Sequence, residues 1–354
     1  MGKAIHYFGG GNTARGFTPF YESIFQDTKE AYSLKGGSNT YKTKILEKLS
    51  SQYVILYDVE IINSGIDELE IEAIKIPELE IAIINGDLIH GSNIVFGNTN
   101  ITEIDLADAM DTEYLKDQKE ELLSIKEKIF ENINLSYKSF EKSLKIHDIL
   151  EGYYYKYMDF DKANNLTEKL MDKLIYRSKT SQGRVSHRYL GAASPIGAID
   201  FVPNITEGVK RYLLKGRAGT GKSTLLKKIA RKAEAKGFDV EIYHCGFDPK
   251  SLDMVVVREL DFAIFDSTAP HEYFPSRDRD EVIDTYKEFC TEDVDKIYKN
   301  EIKIVDKDYK KYKQEAIIFL KEAKKYKVRY DEIYTNALDE IKANSLINLK
   351  LIII

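Results

Sequence analysis

Apolar positions along the chain fall into short runs and long dispersed stretches, and the same order of stretches occurs twice. In the carboxyl-terminal half the short runs are Tyr212-Leu213-Leu214, Val240 to Tyr243 and Phe262 to Phe265, each the length of a buried strand and set off by loop residues. Between the first two, a loop from Gly216 to Gly221 leads into a Lys-rich stretch, Lys222 to about Lys236, that reads as a helix. The amino-terminal half keeps apolar runs at Tyr53 to Leu56 and Ile81 to Ile84, which read as strands. Strands alternating with helices predict an α/β fold, a parallel sheet with helices on its faces. After the last of these strands the character changes. From about Glu113 to Arg177 and from about Glu292 to Ala343 the chain is rich in Lys, Glu, Tyr and Leu or Ile, with spacings such as Phe140 to Leu144 and Phe319 to Ala323 that suit a helix face. Long helices are expected there, completing each domain and packing the halves together, with a lid or partner-binding arm as the functional alternative. Charge runs such as Lys307 to Lys313 read as solvated helix faces.

The recurrence holds residue by residue. His6, Gly10, Gly16, Phe20 and Ile24 return as His187, Gly191, Gly197, Phe201 and Ile205 at an offset of 181. Tyr32, Leu34, Lys35 and Gly36 return as Tyr212, Leu214, Lys215 and Gly216 at 180, and the register is 181 again where Asp58-Val59-Glu60 matches Asp239-Val240-Glu241. Glu78-Leu79 then matches Glu259-Leu260, and His90 matches His271. Ordered matches of this kind indicate a tandem duplication, with domains at 1–180 and 181–354.

Composition narrows the classes. The 354 residues are 43% hydrophobic and 31% charged, which is globular composition. Lys+Arg 52 against Asp+Glu 58 leaves a net charge of -6, so a strongly basic nucleic-acid binder is not expected, and the cationic run Lys227-Lys228 to Arg231-Lys232 reads as a solvated face. Two cysteines, Cys245 and Cys290, are too few for a disulfide framework and point to a reducing compartment, the cytoplasm by expectation. Neither a secretion signal at Met1 to His6 nor an apolar run long enough for a bilayer is expected, so no membrane partner is.

Candidate chemistry sits in the second half. Gly216-Arg217-Ala218-Gly219-Thr220-Gly221-Lys222-Ser223-Thr224 is a complete G-x-x-x-x-G-K-[ST] pattern between a predicted strand and a predicted helix. Glycines let such a loop turn its N–H groups inward, and the helix adds its positive end, so the two form a phosphate nest. Lys222 would place a point charge at the outer phosphates, and the Ser223 hydroxyl would hold Mg²⁺. A second metal contact is expected from Asp266, at the end of the last apolar strand. Residues that could activate water or an acceptor hydroxyl follow the second strand: His244, Cys245 and Asp248, with His271 beyond Asp266. Arg277 and Arg279 lie in an alternating-charge loop that reads as solvated, or as a source of an arginine finger.

These motifs resemble the P-loop nucleoside triphosphatase superfamily, with Walker A at Gly216 to Thr224 and Walker B at Asp266. The duplicated layout, with Asp-Ser-Thr-Ala-Pro-His after the last strand, more narrowly resembles a bacterial family of tandem-duplicated P-loop ATPase-like proteins. The resemblance implies two tandem P-loop NTPase-like parallel-sheet domains, each with a long helical carboxyl-terminal extension, and ATP with Mg²⁺ as cofactors. Asp266 is followed by Ser267 and not by the acid that many ATP-driven machines use to activate water, and no asparagine is followed by lysine, so the guanine-reading motif of a translational-type GTPase is absent. A Mg²⁺-dependent ATPase, slow alone or stimulated by an unknown partner, is the first expectation. A small-molecule or nucleotide kinase is the alternative, since Lys222 to Asp266 leaves room for one further strand; a non-catalytic nucleotide switch is another. The first half reads as a degenerate copy: its loop is Gly36-Gly37-Ser38-Asn39-Thr40-Tyr41-Lys42-Thr43, Asp266 is matched by Asn85, and His244-Cys245 by Asn63-Ser64.

Overall fold

The computed structural model describes residues 2–88 and 99–351; His90 lies outside them. In the first half the chain forms β1 (Ala4–Phe8), a β2–β3 hairpin (Gly10–Thr13, Gly16–Pro19), α1 (Tyr21–Ile24), β4 (Glu30–Lys35), α2 (Asn39–Tyr53), β5 (Val59–Asn63), β6 (Ile71–Ile76), β7 (Ile81–Asn85) and β8 (Asn100–Asp105). Three helices follow, α3 (Thr112–Asp117), α4 (Lys119–Tyr155) and α5 (Phe160–Leu174). The second half repeats the order: β9 (Val185–Tyr189), the β10–β11 hairpin (Gly191–Ser194, Gly197–Asp200), α6 (Val202–Ile205), β12 (Lys210–Lys215), α7 (Lys222–Ala235), β13 (Val240–His244), β14 (Leu252–Val257), β15 (Phe262–Asp266) and β16 (Glu281–Asp284). It ends in α8 (Thr285–Phe289), α9 (Val294–Ile297), α10 (Lys299–Asn336) and α11 (Glu340–Lys350).

All but the two hairpins join one mixed sheet of twelve strands among the described residues, ordered β16-β12-β15-β14-β13-β9-β1-β5-β6-β7-β4-β8. The seam is the antiparallel neighbourhood of β1 and β9, where Phe8 faces Tyr189. Outward from it both sides read the same sequence of equivalent strands. Apart from the seam, pairing is parallel except at β6 and β14, each antiparallel to both neighbours. Two expectations are corrected here. Lys222 and Asp266 are separated by two strands and not one: only seven residues connect β13 to β14, too few for a parallel crossover, so the chain turns back as a hairpin and β14 is buried along its whole length. Tyr53 to Leu56 is not a strand either. Tyr53 closes α2, Ile55 and Leu56 are exposed, and the strand begins at Val59.

The seam is also charged. Arg188 is buried over the Tyr7 ring, 4.3 Å from its centroid, and 3.4 Å from Glu60, which in turn accepts the Tyr7 hydroxyl at 2.6 Å. A buried cation so enclosed tolerates little sliding, which helps fix the register of the two sides.

The long helices cross between the halves. Helices α4 and α10 lie antiparallel, linked by Arg329 to Glu121 at 2.8 Å, Ser139 to Glu315 at 3.0 Å and Ser143 to the Tyr309 carbonyl at 3.1 Å, while Tyr154 of α4 reaches Asp295 of α9 at 2.7 Å. Ser136, Ser143, Ala316 and Ala323 are fully buried in this pair, small residues that let two helices approach closely. As a result α5, from the first half, packs Leu170, Met171 and Leu174 on Leu225, Leu226 and Ile229 of α7. Conversely α11, from the second half, packs Ala343 and Ile347 into the cluster with Tyr41, Ile45 and Leu46 of α2. No helix among the described residues is long and apolar enough to cross a membrane.

This exchange predicts that Ile347→Ala, at the far end of the chain, lowers unfolding free energy by about 2–4 kcal/mol through the amino-terminal core. Hydrogen exchange should show protection lost in α2 and β4 before α7 and β12; equal loss in both halves would contradict the crossed packing.

Candidate functional site

Strand β12 runs parallel to β15 with Leu214 opposite Asp266, so the loop after β12 and the carboxylate ending β15 emerge at one edge of the sheet. The loop is braced from below. Thr220 Oγ donates to the Arg217 carbonyl at 2.8 Å and lies 2.7 Å from the Thr285 hydroxyl, which reaches the Lys215 carbonyl at 3.0 Å. Arg217 itself points out to Asp295 at 2.7 Å; Ala218 is half-buried and Thr224 exposed. Gly221 takes φ 82° and opens α7 with no side-chain cap, leaving the first-turn N–H groups of a fourteen-residue helix without a side-chain acceptor.

Lys222 lies just inside this turn and is 8% exposed. Its ammonium donates to the Arg217 carbonyl at 2.8 Å and stands 3.6 Å from Asp266 Oδ2. The other Asp266 oxygen accepts from the Thr268 hydroxyl at 2.6 Å and its N–H at 3.1 Å. Ser223 Oγ accepts the Leu252 N–H at 3.0 Å, which holds the hydroxyl at the base of the loop with its proton free to point elsewhere. Hydroxyl and carboxylate oxygens are the donors that Mg²⁺ takes, so Ser223 and Asp266 fit that ion chemically.

The residues after β13 are more constrained than their sequence suggests. His244 has both ring nitrogens engaged, with the Pro249 carbonyl at 2.7 Å and His187 at 2.8 Å, and its ring stacks on Phe20 at 4.2 Å. Burial brings its pKa down to about 4, so the ring is neutral and is part of the packing between the halves. Burial likewise pushes the Cys245 thiol well up, away from thiolate chemistry. Asp248 is held by Arg15, Nε to Oδ1 at 2.7 Å; burial raises its pKa, but the hydrogen bonds from Arg15 and the Lys250 N–H and the charges of both residues together outweigh it, and the carboxylate stays ionised. His271 is bound to Asp200 at 2.8 Å, a partner that lifts its pKa despite burial. Arg277 donates to the Thr206 and Pro203 carbonyls, at 2.6 and 3.0 Å, and Arg279 pairs with Asp261. Both arginines brace α6 and the turn before β15.

The local chemistry thus gathers Lys222, Ser223 and Asp266 around the loop and the first turn of α7. No family model, no curated protein and no solved structure matches the chain.

Three residues at this site carry no local motif and escape a reading of the sequence. Asp253, on β14, is buried, and burial raises its carboxyl to about 6, with Asp266 adding repulsion. Glu151 and His147 come from α4, in the other half, and lie 3.8 Å apart. The repeat offered the signal: 181 residues before Asp253 is Glu72, and 180 residues after Glu151 is Asp331.

The equivalent place in the first half is closed by side chains, one of them from the second half. Lys42, 1% exposed, is neutralised by Asp87 at 2.8 Å, and the same Asp87 oxygen accepts the Gly36 N–H at 2.6 Å. Asp331, from α10, accepts the Asn39 and Thr40 N–H groups at 2.5 and 3.0 Å and the Thr40 hydroxyl. Ser38 caps α2 through the Tyr41 N–H at 3.1 Å, and Asn85 donates to Asn39 at 2.9 Å. Thr43 mirrors Ser223, accepting the Ile71 N–H at 3.3 Å. A cavity of about 410 Å³ opens beside this filled loop, lined by Asp67, Glu70, Lys327, Asp331 and Glu332.

Beneath that loop Glu72 is fully enclosed; burial raises its carboxyl to about 8, and Tyr21 donates to it at 2.6 Å. A carboxyl raised on folding contributes stability below its unfolded pKa, near 4, that is lost as pH rises to about 8. Glu72→Gln should therefore flatten the fall in urea-unfolding stability between pH 5 and 9, tested by titrating both proteins at each pH; parallel curves would show that Glu72 does not titrate in this range.

Proposed function

We propose that the chain binds a Mg²⁺–nucleoside triphosphate, ATP by its resemblance, on the loop Gly216 to Thr224, as one of two tandem P-loop-like units of which the first has lost its site. One observation carries the reading. Lys222 is nearly buried at the start of an uncapped helix, with its ammonium on a loop carbonyl and 3.6 Å from Asp266, whereas the equivalent Lys42 is bound directly by Asp87 and its loop amides by Asp87 and Asp331. A nearly buried lysine just inside the first turn of a helix, at the end of a glycine-rich loop, is a favourable place for an anion, because the ammonium and the positive end of the helix point the same way. Lys222 binds the outer phosphates; Ser223 and Asp266 would hold Mg²⁺, which would screen the phosphate charge.

Among the candidates for activating water, Asp248 stays ionised, while His244 has both ring nitrogens occupied. With His244 so engaged, hydrolysis by this chain alone is slow, in keeping with a partner-stimulated ATPase. The same observation favours the non-catalytic switch as second reading, in which bound nucleotide sets the arrangement of the halves.

Lys222→Ala should reduce Mg²⁺–ATP affinity by at least about a hundredfold and remove phosphate release, since the triphosphate would lose its buried cation. Lys42→Ala should leave both unchanged. Calorimetry giving two tight sites per chain, or wild-type hydrolysis by Lys222→Ala, would refute this assignment. Asp266→Asn should spare part of the nucleotide affinity but raise the Mg²⁺ concentration required for turnover; an unaltered Mg²⁺ requirement would remove Asp266 from the metal shell. Phosphate release with and without candidate acceptors separates hydrolase, kinase and switch.

A further inference from the structure

The carboxyl end of α4 passes directly over the Gly216 to Thr224 loop. A Cβ on Gly219 would stand 2.7 Å from the Glu151 carbonyl oxygen and 3.1 Å from its Cα, so only glycine admits the helix this close. A Cβ on Gly221 would meet the Met158 methyl at 3.3 Å, so the chain just beyond the helix covers the next turn of the loop as well. The Glu151 carboxyl is pushed up by burial and by Asp148 and Asp248, against the pull of Lys222 and of the Gly219 N–H in the loop below it.

The first half supplies an independent view of the same contact. Asp331, the residue equivalent to Glu151, has its carboxylate on the Asn39 N–H at 2.5 Å and the Thr40 N–H at 3.0 Å, and Asn39 is the equivalent of Gly219. An internal acid from the opposite half therefore serves as the anion of this loop where the site is closed. The two differ in how firmly they are held. Asp331 is 6% exposed, while the Glu151 side chain is 45% exposed and has His147, one turn back, 3.8 Å away as another neighbour.

Resting on the reading that this loop takes a triphosphate, we infer that Glu151 is its resident anion, a carboxylate lent by the first half that holds the phosphate nest until nucleotide displaces it. Two anions cannot share the same amides, and a polyphosphate brings more charge to them, and to Lys222 beside them, than one carboxylate. Displacement must move the end of α4, because the Glu151 backbone lies against Gly219 and cannot stay while its side chain is replaced by a bulkier ligand. The movement passes to Tyr154, which donates to Asp295, and through Asp295 to Arg217 in the loop itself. Nucleotide binding is thereby tied to the α4–α10 pair.

The test is calorimetric titration of the full chain with Mg²⁺–ATP and with inorganic pyrophosphate, on wild type, Glu151→Gln, Glu151→Ala, Asp148→Asn and Lys222→Ala. Removing the competitor should tighten both ligands roughly five- to tenfold in either Glu151 variant, while Asp148→Asn, which removes an exposed charge one turn from the contact, should change them less than twofold. Mg²⁺–ATP should also raise amide hydrogen exchange across residues 147–158 in the wild type. Equal tightening by Asp148→Asn, or unchanged or weaker binding by both Glu151 variants with Lys222→Ala still inactive, would overturn the inference and leave the loop assignment standing. Absence of binding by every variant would overturn both.

Discussion

The antiparallel packing of α4 on α10 is the constraint on which the rest of the molecule depends. Each helix starts in one half and ends over the other, so the pair delivers Glu151 to the loop after β12 and Asp331 to the loop after β4. The same crossing sets α5 on the core behind α7 and α11 on the core behind α2. Neither half can complete its hydrophobic cluster from its own residues. The buried serines and alanines along the pair make this crossing close, and a bulkier side chain there would separate both roofs from both loops.

The two loops answer the same physical demand in different ways. A glycine-rich turn into a helix presents several N–H groups to one point, and leaving them without acceptors in a half-buried place costs free energy. In the first half the demand is met internally by Asp87, Asp331 and the Ser38 cap, and Lys42 is neutralised in the process. In the second half Gly221 stands in place of a capping residue, Lys222 rests on a loop carbonyl, and Glu151 from α4 remains half in solvent. The acid from the crossing helix is enclosed in one copy and partly exposed in the other. The buried acids beneath the loops, Glu72 and Asp253, share this asymmetry: each is raised by burial, to about 8 and about 6.

Much was legible along the chain because it is local. The sequence of apolar runs, the glycine-punctuated loop and the 180- to 181-residue repeat determine the α/β order, the helix from Lys222 and the presence of Lys222, Ser223 and Asp266 at one sheet edge, since parallel neighbours bring like ends together. The substitution of Gly221 by Tyr41 and of Asp266 by Asn85 in the first copy is equally visible. Backbone conformation and register need only short-range information, and these elements carry it. What the tertiary structure alone decided are the contacts between segments far apart in the chain. The reversal at β14, the pairing of His244 with His187, of Asp248 with Arg15 and of Arg277 with α6 carbonyls, and above all the placing of α4 and α10 over each other's loops depend on how the halves meet. A helix face reads the same in sequence whichever core it covers, because periodicity reports which side is apolar and says nothing of the partner that buries it.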